Sequence, residues 1–256
     1  MNRLDKLFAN KNNILNIYTT AGYPKLNDTI EVVTRLAEAG VDMVEIGLPF
    51  SDPLADGPTI QNSNSIAIKN GITLDIIFEQ IKEIRKTVQT PILLMGYLNQ
   101  LLNYGVSNFI KKAAEVGVDG LIIPDMPIDY YCSNYKALFI RNNIQMSFLI
   151  TPQTSIKRIE AIAIESTAFL YVVSSYAITG NNHSINQTQI KYLNKIKKLE
   201  LKTPQLIGFG IHSKETFTSA CSYANGAIIG SAFIKALEDQ DTIKNKVNNF
   251  IKKIKQ

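Results

Sequence analysis

The chain has no tryptophan, two cysteines and two histidines in 256 residues. Cys132 and Cys221 lie far apart without CxxC spacing, so they imply no disulfide framework and suit a reducing compartment. His183 and His212 are in no metal-ligand spacing, which argues against a zinc site. No apolar run approaches the length needed to span a bilayer, and the opening MNRLDKLFANKNN lacks the apolar core of a signal peptide. The expectation is a soluble protein that stays where it is made. The charge balance excludes little more. A net charge of +5 invites a nucleic-acid reading, but many of the lysines fall in Lys191–Lys202 and Lys244–Lys255, alternating with apolar residues at helical spacing. Solvated helix faces explain that pattern better than a nucleic-acid surface.

What is present suits one large α/β domain over residues 1–256, with 45% hydrophobic and 19% charged residues. Short β-like runs at Ile14–Thr20, Met43–Ile46, Ile92–Gly96, Gly120–Pro124, Gln145–Ile150, Phe169–Val173, Gln205–Phe209 and Gly226–Ile229 alternate with stretches of helical period. In Asp28–Ala39, Ile30, Val33, Leu36 and Ala37 share a face, Asp28 with Glu31 resembles a capping box, and Gly40 supplies the stop. Thr73 opens a helix that carries Leu74, Ile77, Phe78, Ile81 and Ile84 on one side. Eight strands separated by helices favour a closed parallel barrel. A faint repeat agrees: Ala37-Glu-Ala-Gly-Val-Asp42 and Ala114-Glu-Val-Gly-Val-Asp119 match at five of six positions, each just before a strand. That places Asp42 and Asp119 at strand N-termini, where the expected role is stability.

The stretch Val44–Pro58, VEIGLPFSDPLADGP, puts a glutamate inside a strand. With Val44 and Ile46 facing the helices, Glu45 points into the barrel. A carboxyl there should titrate high and exchange protons near neutrality, unless it is simply paired with an arginine. Asp52 and Asp56 follow in a loop stiffened by Pro49, Pro53 and Pro58. Either aspartate could be a plain turn former, and spacing alone leaves Asp56 undecided. Farther on, Gly208-Phe-Gly210 follows the seventh strand and Gly230-Ser231 the eighth, where barrels of this kind commonly bind phosphate. The polar stretch Ser174–Gln187 has the length of a lid. No strand candidate contains a lysine, which removes the usual Schiff-base chemistry, and no serine sits in a G-x-S-x-G elbow. Acid–base catalysis by carboxylates on a phosphorylated substrate remains.

The run Glu45–Gln61, EIGLPFSDPLADGPTIQ, resembles the signature of the tryptophan synthase α subunit family. Further matches keep the family's order: Met95-Gly-Tyr-Leu-Asn99, Gly117–Asp125, Ile178-Thr-Gly180, Gly208-Phe-Gly-Ile211 and Gly230-Ser231. The resemblance implies a (β/α)8 TIM barrel with an extra N-terminal helix. It also implies retro-aldol cleavage of indole-3-glycerol phosphate to indole and glyceraldehyde 3-phosphate, without metal or cofactor in this chain. Implied too is a pyridoxal-phosphate-dependent β subunit that receives the indole, in an α2β2 assembly. In family terms Glu45 and Asp56 are catalytic, and Tyr171, Thr179 and Tyr97 contact substrate. Gly180, Gly210, Gly230 and Ser231 hold phosphate, while Asp52, Pro53 and Asn99 face the β subunit.

One departure stands out. Ala177 occupies a lid position where the family usually has glycine, beside the bulky Tyr176, so slower lid closure or altered coupling to the β subunit is expected. Alternatives stay open at this level: another phosphate-binding barrel enzyme, a stand-alone indole-releasing lyase, or a barrel that has lost turnover. Usage rich in Lys, Asn and Ile hints at an AT-rich genome, hence a bacterial cytoplasm or a plastid stroma.

Overall fold

The structure is a computed structural model that describes residues 1–53, 56–173, 187–208 and 210–256. Eight strands, β1 (Ile14–Thr20), β2 (Met43–Gly47), β3 (Ile92–Met95), β4 (Gly120–Ile122), β5 (Gln145–Ile150), β6 (Leu170–Val173), β7 (Gln205–Gly208) and β8 (Gly226–Ile229), close in sequence order into a barrel. All eight pairings are parallel, with β8 returning to β1 through Ile14↔Gly226 to Ile17↔Ile229. This is the (β/α)8 TIM barrel expected from the sequence. The strand ends differ from expectation by a residue or two; β3 and β4 stop together at the pair Met95↔Ile122, where their ladder ends.

Alternation divides the apolar residues into two cores. Leu15, Ile17, Val44, Ile46, Leu94, Leu121, Val172 and Ile207 point outward and pack with helix residues such as Val33, Leu36, Ile77, Phe78, Phe109 and Ile110. Ile14, Met43, Leu93, Ile122, Tyr171, Leu206 and Ile228 point inward and fill the barrel. Strands covered on both faces need apolar residues on both, hence their nearly unbroken hydrophobic runs.

The helices form as their patterns dictate, with one correction. Leu74–Ile84 starts at Thr73, whose hydroxyl accepts from the Ile76 N–H at 3.3 Å, and buries Ile77, Phe78, Ile81 and Ile84. Asp28–Glu38 buries Val32, Val33 and Leu36, but no capping box forms at its start. Asn27 is the N-cap residue, and the Asp28 carboxylate turns back to accept from the Lys25 N–H at 3.1 Å. The lysines of Ile243–Lys255 and Gln187–Lys197 lie mainly on the exposed faces of helices that bury Val247, Phe250, Ile251, Tyr192 and Leu193.

The extra helix, Arg3–Asn10, closes the N-terminal end of the barrel. Leu4 is completely buried in the inner core, and Leu7 and Phe8 pack beneath it. Asn2 caps this helix and donates through Nδ2 to the carbonyls of Asp119 and Asn143, at 2.9 Å each. Asp119 takes Arg85 at 2.6 Å and Arg3 at 3.0 Å, and also accepts from the Ile92 N–H. Asp42 pairs with Lys11 and accepts from the Leu15 N–H at 2.9 Å. Both aspartates therefore tie strand ends to their surroundings, the stabilising role expected of them.

Candidate active site

Glu45 sits on the inward face of β2, between Met43 and Gly47, and is 1% exposed. Its register neighbours are Tyr18 on β1 and Leu93 on β3. Among the described residues no arginine or lysine meets it; its partner there is Asn16, whose Nδ2 donates to Glu45 Oε2 at 3.0 Å. Burial raises the Glu45 carboxyl to about 8; the Asn16 bond partly opposes this, and the nearby Asp56 adds to it.

Asp56 is 7% exposed, and the helix that follows it does much of the holding. That helix, Pro58–Lys69, starts cleanly because Gly57 is its N-cap and proline occupies its first position, where no N–H is needed. Gln61 and Asn64, three residues apart on one face, reach back. Gln61 Nε2 donates to the Asp56 carbonyl at 2.8 Å, and the Asn64 side chain bonds the carboxylate. From the other side the Tyr97 hydroxyl donates to Asp56 Oδ2 at 3.1 Å. Burial raises the Asp56 carboxyl, with the Tyr97 and Asn64 bonds pulling against it.

Two further phenols complete the lining. Tyr18 and Tyr171 are buried, and burial first of all holds both well above the usual tyrosine range. The next influence is Asp56 for Tyr18 and Glu45 for Tyr171, so the carboxyls and phenols form one cluster. Each ring lies over a glycine of a neighbouring strand, Tyr18 over Gly47 and Tyr171 over Gly208. Gly208, grouped with the phosphate loop on sequence grounds, thus ends β7 and makes room for Tyr171.

The expected phosphate residues fall partly within the described region. Gly210 has φ +78°, the left-handed region that favours glycine, with no described residue beyond its chain neighbours within 4 Å of where a side chain would start. Gly230 follows β8 and leads into the short helix Ser231–Ala236, with Ser231 exposed. A Cβ at Gly230 would stand 3.5 Å from the Tyr18 Cβ, so this loop abuts the tyrosine-lined cluster. Thr179 and Gly180, with Tyr176 and Ala177 of the expected lid, lie outside the described residues.

Asp52 and Asn99 are exposed, and Pro53 is half-buried. They sit on adjoining surfaces: Gln100 donates to the Pro49 carbonyl at 3.0 Å, and the Phe50 and Tyr97 rings are 5.3 Å apart. The Cys132 and Cys221 thiols are free. Among the described residues no group of three or more His, Cys, Asp or Glu could hold a metal, and no helix is long and apolar enough to cross a membrane.

Sequence alone does not mark Asn16, Tyr18 or Asn64 as site residues. The alternation that turned Glu45 inward applies equally to β1, where Asn16 and Tyr18 share the parity of inward Ile14. A polar residue at an inward strand position was the available signal. Asn64 offered none, because helix periodicity says only that one face is buried.

Comparison with known proteins agrees with this geometry. The family described as "Tryptophan synthase alpha chain" matches residues 4–256. The tryptophan synthase alpha chain of Flavobacterium psychrophilum is 51% identical over 254 residues, covering 99% of this chain and all of that one. Among solved structures, tryptophan synthase subunit alpha from Legionella pneumophila superposes with a TM-score of 0.88 at 30% identity, covering 99% and 97% of the two chains. The tryptophan synthase complex from Pyrococcus furiosus gives 0.87 at 32% identity, covering 95% and 98%. With a match that runs nearly end to end, the chain belongs to the tryptophan synthase alpha chain family.

Proposed function

We propose that this chain is a carbon–carbon lyase of L-tryptophan biosynthesis, cleaving indole-3-glycerol phosphate to indole and glyceraldehyde 3-phosphate. The observation that carries the proposal is Glu45: a carboxyl buried in the barrel, with no cationic partner among the described residues, titrating near 8 beside a second buried carboxyl, Asp56. At neutral pH much of Glu45 is protonated, so it can give a proton to indole C3. Positive charge then develops on the ring nitrogen, where the Asp56 carboxylate stabilises it and takes the N–H proton. Glu45, now ionised, removes the proton from the glycerol hydroxyl next to the ring. The bond from that carbon to indole C3 breaks, leaving an aldehyde on the glycerol side. Its electron pair restores the aromatic ring as the nitrogen recovers its proton from Asp56. Protons and electrons balance without lysine or metal.

In this proposal Tyr171, Tyr97 and Thr179 contact the substrate, and Gly180, Gly210, Gly230 and Ser231 receive its phosphate. Backbone N–H groups at loop glycines suit that task. The chain works as one domain over residues 1–256 and carries no cofactor of its own. Its partner is a β subunit, which would hold pyridoxal phosphate and consume the indole, in an α2β2 assembly. The surface of Asp52, Pro53 and Asn99 faces that partner. The curated relatives are bacterial, which supports the cytoplasm as its location over a plastid stroma.

The test is indole release from indole-3-glycerol phosphate by wild type and Glu45→Gln, each with and without a β subunit. The proposal expects slow release alone, acceleration by the partner and silence in the variant. Fast turnover alone would mark an independent lyase. No indole under any condition would refute catalysis.

A further inference from the structure

Asn16 is completely buried on the inward face of β1, with Met43 and Ile228 as its register neighbours. A primary amide in that setting costs stability unless its polar atoms are matched. Only half of the amide is matched. Nδ2 donates to Glu45 at 3.0 Å, while Oδ1 is buried with no hydrogen-bond partner among the described residues. A leucine would fill the same space without leaving a lone acceptor, so the amide must be compensated by something other than packing.

We propose that Asn16 is the positioning residue for Glu45, donating through Nδ2 to the ionised carboxylate and accepting through Oδ1 from the protonated acid. This rests on Glu45 as the proton carrier of the proposed reaction. A group that gives and later takes a proton must be held in one place in both states. The ionised state needs a donor beside it, and the protonated state needs an acceptor. A primary amide offers either from one position by turning about its last torsion, whose preference is roughly two-fold. The unmatched Oδ1 is then the acceptor kept for the other half of the cycle.

The surroundings make this partner consequential. Glu45 is faced by Asp56 from the loop after β2, by Tyr18 from β1 and by Tyr171 from β6. Asp56 disfavours a charged carboxylate, and the two phenols, which stay neutral, give it no hydrogen bond among the described residues. Among the described residues acting on Glu45, the Asn16 amide alone opposes burial. Removing it should leave the carboxyl protonated over a wider pH range and rob the second proton transfer of its base.

The experiment uses the full chain with its β subunit. The Glu45 carboxyl is titrated by infrared difference spectroscopy against Glu45→Gln, and kcat for indole formation is followed against pH. Asn16→Leu should raise the Glu45 midpoint by about one pH unit or more. It should also lower kcat at neutral pH about tenfold, with partial recovery at higher pH and KM little changed. If Asn16→Leu does not fold, Asn16→Asp, of the same shape, carries the test. A second carboxylate there should raise the midpoint further and abolish turnover. A folded variant with a wild-type midpoint and a wild-type pH profile would overturn the assignment, leaving Asn16 a structural residue only. Wild type that titrates as expected but makes no indole would refute the proposed reaction instead and leave the Asn16–Glu45 link intact.

Discussion

The phenol of Tyr18 fills the space where a Cβ on Gly47 would stand, and the two residues lie on adjacent strands two positions out of register. Gly208 makes the same allowance for Tyr171 on the far side of the barrel. Both rings owe their position beside the carboxyls to a missing methyl group.

Gly47→Ala should therefore push Tyr18 off its site. Overpacking of this kind costs about 1–3 kcal/mol in stability. Displacement by an ångström near reacting groups can cost about a hundredfold in rate, and that is the loss expected in kcat/KM. Steady-state indole formation with the β subunit checks it. Wild-type kinetics in a folded variant would show that the placement of Tyr18 is irrelevant.

Stability should depend on pH through Glu45 with a definite sign. Its folded-state value, about 8, lies above the ordinary 4.5, so the native state holds more protons than the unfolded chain between those values. Stability is lost as pH rises through that window, by at most about 5 kcal/mol. Glu45→Gln removes the titration, so its stability relative to wild type should improve from pH 5 to pH 8 and level off above. Urea unfolding of both proteins across that range is the measurement. A constant difference would mean that the carboxyl is ordinary.

Tyr97→Phe keeps the ring against Phe50 and deletes the donor to Asp56. The Asp56 carboxyl should rise further, since one of the two bonds holding it down is gone. We expect a loss of about tenfold in kcat and roughly 1–2 kcal/mol in stability. A pH–rate profile separates the two effects. Its acidic limb should move up in pH, and an unmoved limb would exclude the Tyr97 hydroxyl from holding Asp56.

The opposite end of the barrel should matter for folding alone. Arg85 is 8% exposed and donates to the carbonyls of Gly117, Val88 and Thr90 as well as to Asp119. Arg85→Leu leaves the buried Asp119 with the half-exposed Arg3 as its remaining cation and the Ile92 N–H as its backbone donor. Breaking such a pair costs about 3–5 kcal/mol. Chemical denaturation should show that loss while kcat of the folded fraction stays at the wild-type level. A large fall in kcat would mean that strain crosses the barrel.

The sequence disclosed the barrel because each strand is covered on both faces and each helix on one, and those two demands leave different periods along the chain. Glu45 stood out for the same reason, as a charge in a run where every neighbour is apolar. The contacts that decide its chemistry were harder to see. Asn16 lies 29 residues away and meets Glu45 only because β1 pairs with β2. The supports of Asp56 divide in the same way: Asn64 comes from its own helix, and Tyr97 from beyond the next strand. Gly208 carries a second demand: it has the spacing of an anion loop, and its missing side chain also makes room for a tyrosine on the neighbouring strand. At the start of Asp28–Glu38, local pattern gave the wrong cap because Asp28 had a closer backbone donor in the preceding turn, at Lys25.

The helix Arg3–Asn10 gives the barrel a floor. With Leu4 sealed into the interior and Leu7 and Phe8 beneath it, the described structure is a cup rather than a pipe. Reactant and both products must then share one rim. A product destined for a second subunit cannot drain away through the base, so its sorting from the other has to be done by whatever covers the rim.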